Sequence, residues 1–220
     1  YRWIIAGLLC LMGMGLRAIT RIVDISGSGQ YTSIQTAVSA SSPGDTVLVF
    51  PGRYIERVLI QTSGIALVSL EAVTSDPSFI DSTIIDGNNS LGGLTVMTEK
   101  VDIVIRGFSF TQFRGSAITL LDNSNTVIRN CNLYSNKAIY GAGVCIYYST
   151  STFSGVEIYN NYAYNMGGGM YIYGYWGNVN VTFDPVNRCS IYNNTAGAGQ
   201  DIVAHSINND LSIPLEMFTV

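Results

Sequence analysis

Charge is scarce in this chain. Charged residues fill 12% of its 220 positions, about half the share usual in globular proteins. Lysine occurs only at Lys100 and Lys137, and the formal net charge is −4. Without a basic cluster the chain has nothing to neutralise a run of phosphates, which excludes nucleic acid as a partner. Histidine occurs once, at His205. No CxxC pair or His/Cys cluster accompanies it, so no metal site is expected. Outside the N-terminal region the cysteines are Cys131, Cys145 and Cys189, an odd number at unrelated spacings that defines no disulfide framework. They read either as buried small apolar side chains or as containing one bridge, with Cys131–Cys145 the candidate. Long apolar runs are also absent, with one exception from Ile4 to Leu16. That run is too short to cross a bilayer of roughly 30 Å as a helix. Following Arg2 and ending near Ala18, it has the form of a secretory signal peptide over residues 1–18, incomplete at its start. The chain is therefore expected outside the cell or at its surface, touching membrane only through the export signal.

What is abundant is β-forming and small. Apolar residues reach 47%, which argues against disorder, and there are 23 glycines and 14 tyrosines. A short phrase recurs: glycine or another small residue, then a strand triplet with apolar first and third positions. Its lead positions are Leu94, Ile118, Val144, Met170 and Gln200, at intervals of 24, 26, 26 and 30 residues. A second phrase keeps step with it: Leu133-Tyr134-Ser135-Asn136, Ile158-Tyr159-Asn160-Asn161 and Ile191-Tyr192-Asn193-Asn194. Strand-length units repeating every 20 to 50 residues mean a stacked array, because one unit cannot bury its own apolar face. The five lead positions are expected to stack in one inward column.

Ahead of the repeats, Thr32 and Gln35 have the spacing of a capping box, and Ile34, Ala37 and Val38 fall on one helical face. Ser41-Ser42-Pro43-Gly44 stops that helix. A strand at Thr46–Phe50, a turn at Pro51–Tyr54 and more strand through Ile60 follow. A short amphipathic helix laid over the end of a stack would cover its core and its first unpaired strands. The stretch Asp24 to Val38, with Asp45-Thr46-Val47 through Glu56, resembles the opening of pectin methylesterases and of the wider pectin-lyase-like superfamily. Thr83-Ile84-Ile85-Asp86-Gly87 and Val104-Ile105-Arg106-Gly107-Phe108 are similar to phrases of the same superfamily. The resemblance, over roughly residues 22 to 205, implies an all-β fold: a right-handed parallel β-helix with a short N-terminal capping helix. Residues 19–53 would form the cap and first strand and 54–220 the coils, without a C-terminal cap.

The glycine-rich and asparagine-bearing phrases also resemble the repeats of polymorphic outer-membrane adhesins, with Leu-Tyr-Ser-Asn and Ile-Tyr-Asn-Asn in place of Phe-x-x-Asn. Asparagine tolerates left-handed backbone angles, and stacked amides can bond from coil to coil. Asn136, Asn161 and Asn194 are the expected rungs of such a ladder.

Enzymes of the resembled superfamily act on acidic polysaccharides with paired carboxylates, or with carboxylates, a basic residue and calcium. No Asp-Asp pair occurs here, and the methylesterase catalytic phrases find no match after residue 60. The only local group resembling an acid–base site is Asp184, Asp201 and His205, with Asp201 expected to point outward. Strand alternation puts Cys145, Tyr147, Tyr171 and Tyr173 outward. Tyr147 and Tyr173 would share a column with Leu121 below and Val203 above, and Trp176 would follow in the next turn. Such an aromatic strip can stack on sugar rings, or it can simply stabilise the sheet. The favoured expectation is a non-catalytic, cell-surface or secreted module that binds polysaccharide or surface glycan through Tyr147, Tyr171, Tyr173 and Trp176. It needs no cofactor. The alternatives are a polysaccharide lyase or glycoside hydrolase, for which calcium would be implied, and a structural spacer.

Overall fold

A computed structural model describes residues 18–98, 102–121, 125–174, 179–205, 207 and 211–218. The expected signal segment up to residue 17, and Trp176, lie outside the described residues. The chain winds through a parallel β-helix. Its strands stack into three long sheets of seven, seven and six strands and one small sheet of three, among the described residues. One full coil shows the plan: Asn125–Arg129 in the first sheet, Asn132–Tyr134 in the second, Lys137–Tyr140 in the small sheet and Val144–Tyr147 in the third. The next coil repeats it with Thr150–Ser154, Glu157–Tyr159, Tyr162–Met166 and Met170–Tyr173. Neighbouring strands pair in parallel throughout, which a coil makes possible because each strand returns to its sheet only after a full turn.

Alternation along each strand sends one set of side chains inward, where they form a continuous core. Phe110, Leu133, Ile158 and Ile191 come from the second sheet and Ile103, Ile105, Ile128 and Phe153 from the first. In the third sheet Leu94, Ile118, Val144 and Met170 stack in register as expected, each fully buried. The fifth member is not Gln200, which is exposed, but Ile202, paired with Met170. The last repeat aligns through Gly199 rather than Gly197, since Gly141, Gly167 and Gly199 all hold left-handed backbone (φ 51°, 64° and 57°) at the entry to the third sheet. That alignment puts Asp201 where the earlier coils have Gly143 and Gly169.

Those glycines leave room for the asparagine ladder. A Cβ on Gly143 would lie 3.3 Å from Asn161 Nδ2, and one on Gly169 2.9 Å from Asn194 Nδ2. The ladder itself is present and buried. Asn136 Nδ2 donates to Asn161 Oδ1 at 2.9 Å, and Asn161 Nδ2 to Asn194 Oδ1 at 2.9 Å. The backbone N–H groups of Asn136 and Asn161 donate to the same two oxygens. Each amide also reaches back to a carbonyl of its own wall, those of Phe110, Leu133 and Ile158. The left-handed residue is not the rung but the one before it: Ser135, Asn160 and Asn193, with φ of 58°, 55° and 54°. Above Asn194 the space is taken by Asp201. It is 2% exposed, and its Oδ1 accepts from Asn194 Nδ2 at 2.8 Å and from its N–H at 3.2 Å. Asp201 therefore points inward and ends the ladder, rather than facing outward.

At the other end a helix spans Ile34–Ser39, burying Ile34, Ala37 and Val38 as expected. Its N-cap is Ser33, not Thr32, and the Ser33 side chain accepts from Thr36 N–H. The reciprocal acceptor comes from across the chain. Glu56 takes the N–H groups of Ile34 and Gln35 at 2.8 and 2.9 Å and the Ser33 hydroxyl at 2.9 Å. Gln35 instead clamps the backbone of Leu59 by both its groups. Most of the segment read as a turn, Pro51–Tyr54, lies in a strand of the second sheet, Gly52–Ile55.

Candidate functional site

The small sheet bends away from the third sheet at Gly141 and Gly167. At both, a left-handed backbone and backbone atoms within 2.3 Å of any added Cβ restrict the position to glycine. The bend leaves an outward groove of about 390 Å³ between the two sheets, lined among others by Arg114, Lys137, Tyr140, Cys145, Tyr147 and Tyr164. This is within the size range of sites for small ligands. Ile139 and Tyr164 are 60% and 55% exposed and form its outer wall.

Aromatic contacts knit the floor. Tyr171 lies beneath Tyr140 and Tyr147, with ring centroids 5.0 and 6.2 Å apart. Tyr147 meets Tyr173 edge-on at 6.0 Å, and Tyr173 stacks on His205 at 5.6 Å. Tyr171 is only 7% exposed and does not line the groove, so it supports Tyr140 and Tyr147 from behind and is not an open contact. Cys145 is likewise buried despite its outward phase. Burial pushes the Cys145 thiol up to about 11, so it stays protonated near neutral pH. Burial and the neighbouring thiol also raise the Tyr147 phenol. Cys145 and Tyr147 therefore present uncharged groups to the groove near neutral pH, able to donate and accept hydrogen bonds.

Tyr147 and Tyr173 are column neighbours, as expected, but the residue above Tyr173 is His205. Val203 pairs with Tyr171 instead. The shift follows from the two-residue realignment at Gly199. Asp184, Asp201 and His205 do not converge. Asp184 sits at the corner after the first-sheet strand Asn180–Phe183, where it accepts from Ser154 Oγ and from the N–H groups of Val186 and Asn187. These bonds hold its carboxyl below the usual range. Asp201 instead precedes, and His205 ends, the strand Ile202–His205 of the third sheet. The three cysteines among the described residues are free and buried. Cys131 faces the core and Cys145 the groove, so the candidate bridge does not form. Among the described residues no group of three His, Cys, Asp or Glu could hold a metal ion.

Sequence reasoning missed Tyr140, Tyr164, Arg114 and Lys137. The alternation Tyr162-Ala163-Tyr164, with Ala163 buried and both tyrosines exposed, is a strand signal that could have revealed the small sheet. It was hidden because the asparagine phrase before it reads as a turn.

Comparison with known proteins bears on the scaffold. The family described as a right-handed beta helix region matches residues 54–212, most of the chain. The chain belongs to that right-handed β-helix family. The right-handed β-helix that the N-terminal phrases implied is the fold of that family. No curated protein matches it. Among solved structures it is similar to a pectin methylesterase point mutant in complex with a hexasaccharide. That match has 10% identity and a TM-score of 0.38, covering 84% of this chain and 74% of that one. Membership in the β-helix family describes the scaffold; what the groove does depends on its own residues.

Proposed function

We propose that this β-helix is a non-catalytic module, exported or held at a cell surface, that binds glycan in the tyrosine groove. The observation that carries the reading is the groove itself: a concave site of about 390 Å³ in which Tyr140, Tyr147 and Tyr164 meet two cations. Tyrosines offer flat apolar area with a polar tip, which suits a sugar's mixed surface. Support also comes from two carboxylates away from the groove. Glu71 is neutralised by Arg106 at 2.7 and 3.0 Å and bonded by Asn130. Asp184 is held by Ser154 and two backbone N–H groups. Neither carboxylate stands beside a second one as acid and base of a glycosidase would. The export signal expected over residues 1–18 is consistent with a glycan partner outside the cell.

The test is a glycan array with the intact protein, repeated with Tyr147→Ala and Tyr164→Ala and accompanied by thermal melts. Each ring lost from a sugar contact is worth on the order of 1 kcal/mol, so the double variant should bind at least tenfold more weakly while melting close to the parent. A parent that retains no glycan would point to the spacer reading instead.

A further inference from the structure

Charge is unevenly spread in the groove. Its two cations, Arg114 and Lys137, lie at one end, brought together across the coil gap by the hydrogen bond from Lys137 N–H to the Phe113 carbonyl. Both are exposed, and no ion pair among the described residues involves either. Arg114 Nε is oriented by the Asn89 carbonyl at 2.9 Å, which leaves its terminal nitrogens for a ligand. Beside them Gly115 leaves space, since a Cβ there would touch only Gly92, at 3.4 Å. Among the described residues no carboxylate lines the groove. The other end holds Ile139, Tyr140, Tyr147 and Tyr164 and no cation.

We infer that the groove takes a glycan with one acidic sugar, seated at Arg114 and Lys137, followed by uncharged sugars along the tyrosines. This rests on the groove being a glycan site. An acidic group at the first end meets two cations and can be held bidentately by the guanidinium. A second acidic group at the tyrosine end would be partly desolvated against apolar walls without a partner, which is unfavourable. The site thus discriminates in both directions, against neutral chains and against chains charged on every sugar.

Three probes separate the possibilities by calorimetry at low salt: a neutral galactose trisaccharide, the same trisaccharide ending in one galacturonate, and trigalacturonate. The singly acidic probe should bind at least tenfold more tightly than either other. Raising the salt should narrow its lead over the neutral probe, and Arg114→Gln with Lys137→Gln should abolish that lead. Equal affinity for the neutral and singly acidic probes, lost in Tyr164→Ala, would overturn this inference and leave the glycan groove standing. Trigalacturonate binding as tightly as the singly acidic probe would also overturn it. Binding of none of the three, to protein that melts normally, would remove the glycan reading as well.

Discussion

The two ends of the stack are finished in different ways. At the N-terminal end one short helix covers the core with Ile34, Ala37 and Val38, and Glu56 satisfies two of its first N–H groups. Asp45 ties the outermost strand there, accepting from Ile19 N–H at 2.8 Å and pairing with Arg21 at 2.9 Å. At the C-terminal end Asp201 closes the asparagine ladder. Next to it an apolar hollow of about 510 Å³ opens among Ile202, Leu211, Leu215 and Phe218. Covering an apolar core and ending a hydrogen-bond ladder are thus separate problems. A single carboxylate can solve the second, because it accepts without needing a further acceptor. Only a packed element solves the first.

The largest expected effect lies between the ends and sets the scale for both. Val144→Asp places an unpaired charge at a fully buried position and should cost about 4 kcal/mol or more. Urea unfolding of the variant should show either a lost transition or a much lower midpoint, and a melt matching the parent would remove Val144 from the core. Asn161→Ala cuts the ladder in its middle and strands buried donors and an acceptor on both sides. The expected loss is about 3 kcal/mol.

Changes at the ends should cost less and should differ from each other. Glu56→Gln removes the charged acceptor of the cap helix, for about 1–2 kcal/mol. Hydrogen exchange should rise at Ile34 and Gln35 and leave the ladder protected. Asp201→Ala should cost about 1 kcal/mol and raise exchange at Asn194 while the cap stays closed. Equal loosening at both ends in either variant would mean that the stack responds as one cooperative unit, contrary to the comparison.

Acid offers the mildest test. The N–H groups of Ser42 and Ile19, with Arg21, hold the Asp45 carboxyl below its usual range. A carboxylate lowered in the folded state contributes stability that is complete above its unfolded value and is lost as pH falls through the folded one. Acidification below the ordinary carboxylate range should therefore loosen Thr20–Val23 first. Exchange measured strand by strand would show it, and Asp45→Asn should remove the pH dependence.

Much of the fold was legible because its signals are periodic. Glycine before an apolar triplet, and asparagine after a tyrosine, recur at coil intervals, and the structure stacks them as columns. The misreadings fall where one residue answers to two coils. Gln200 looked like a lead position because Gly197 matched by spacing. The pairing of Ile202 with Met170 and the left-handed Gly199 show that the repeat restarts there. The capping box looked local at Thr32 and Gln35, yet the acceptor that matters is Glu56, over twenty residues away. The phrases that resemble methylesterases at Asp24–Val38 and Asp45–Glu56 are thus two halves of one structural cap.

By itself the sequence determined the β-helix, the inward columns and the ladder, because burial and strand alternation act on nearest neighbours and repeat with the chain. The groove was decided only in three dimensions. Its walls come from two sheets that meet at glycine bends, and its cations come from adjacent coils. Whether an outward tyrosine is open, like Tyr164, or roofed, like Tyr171, depends on a neighbour from another coil that strand alternation cannot reveal.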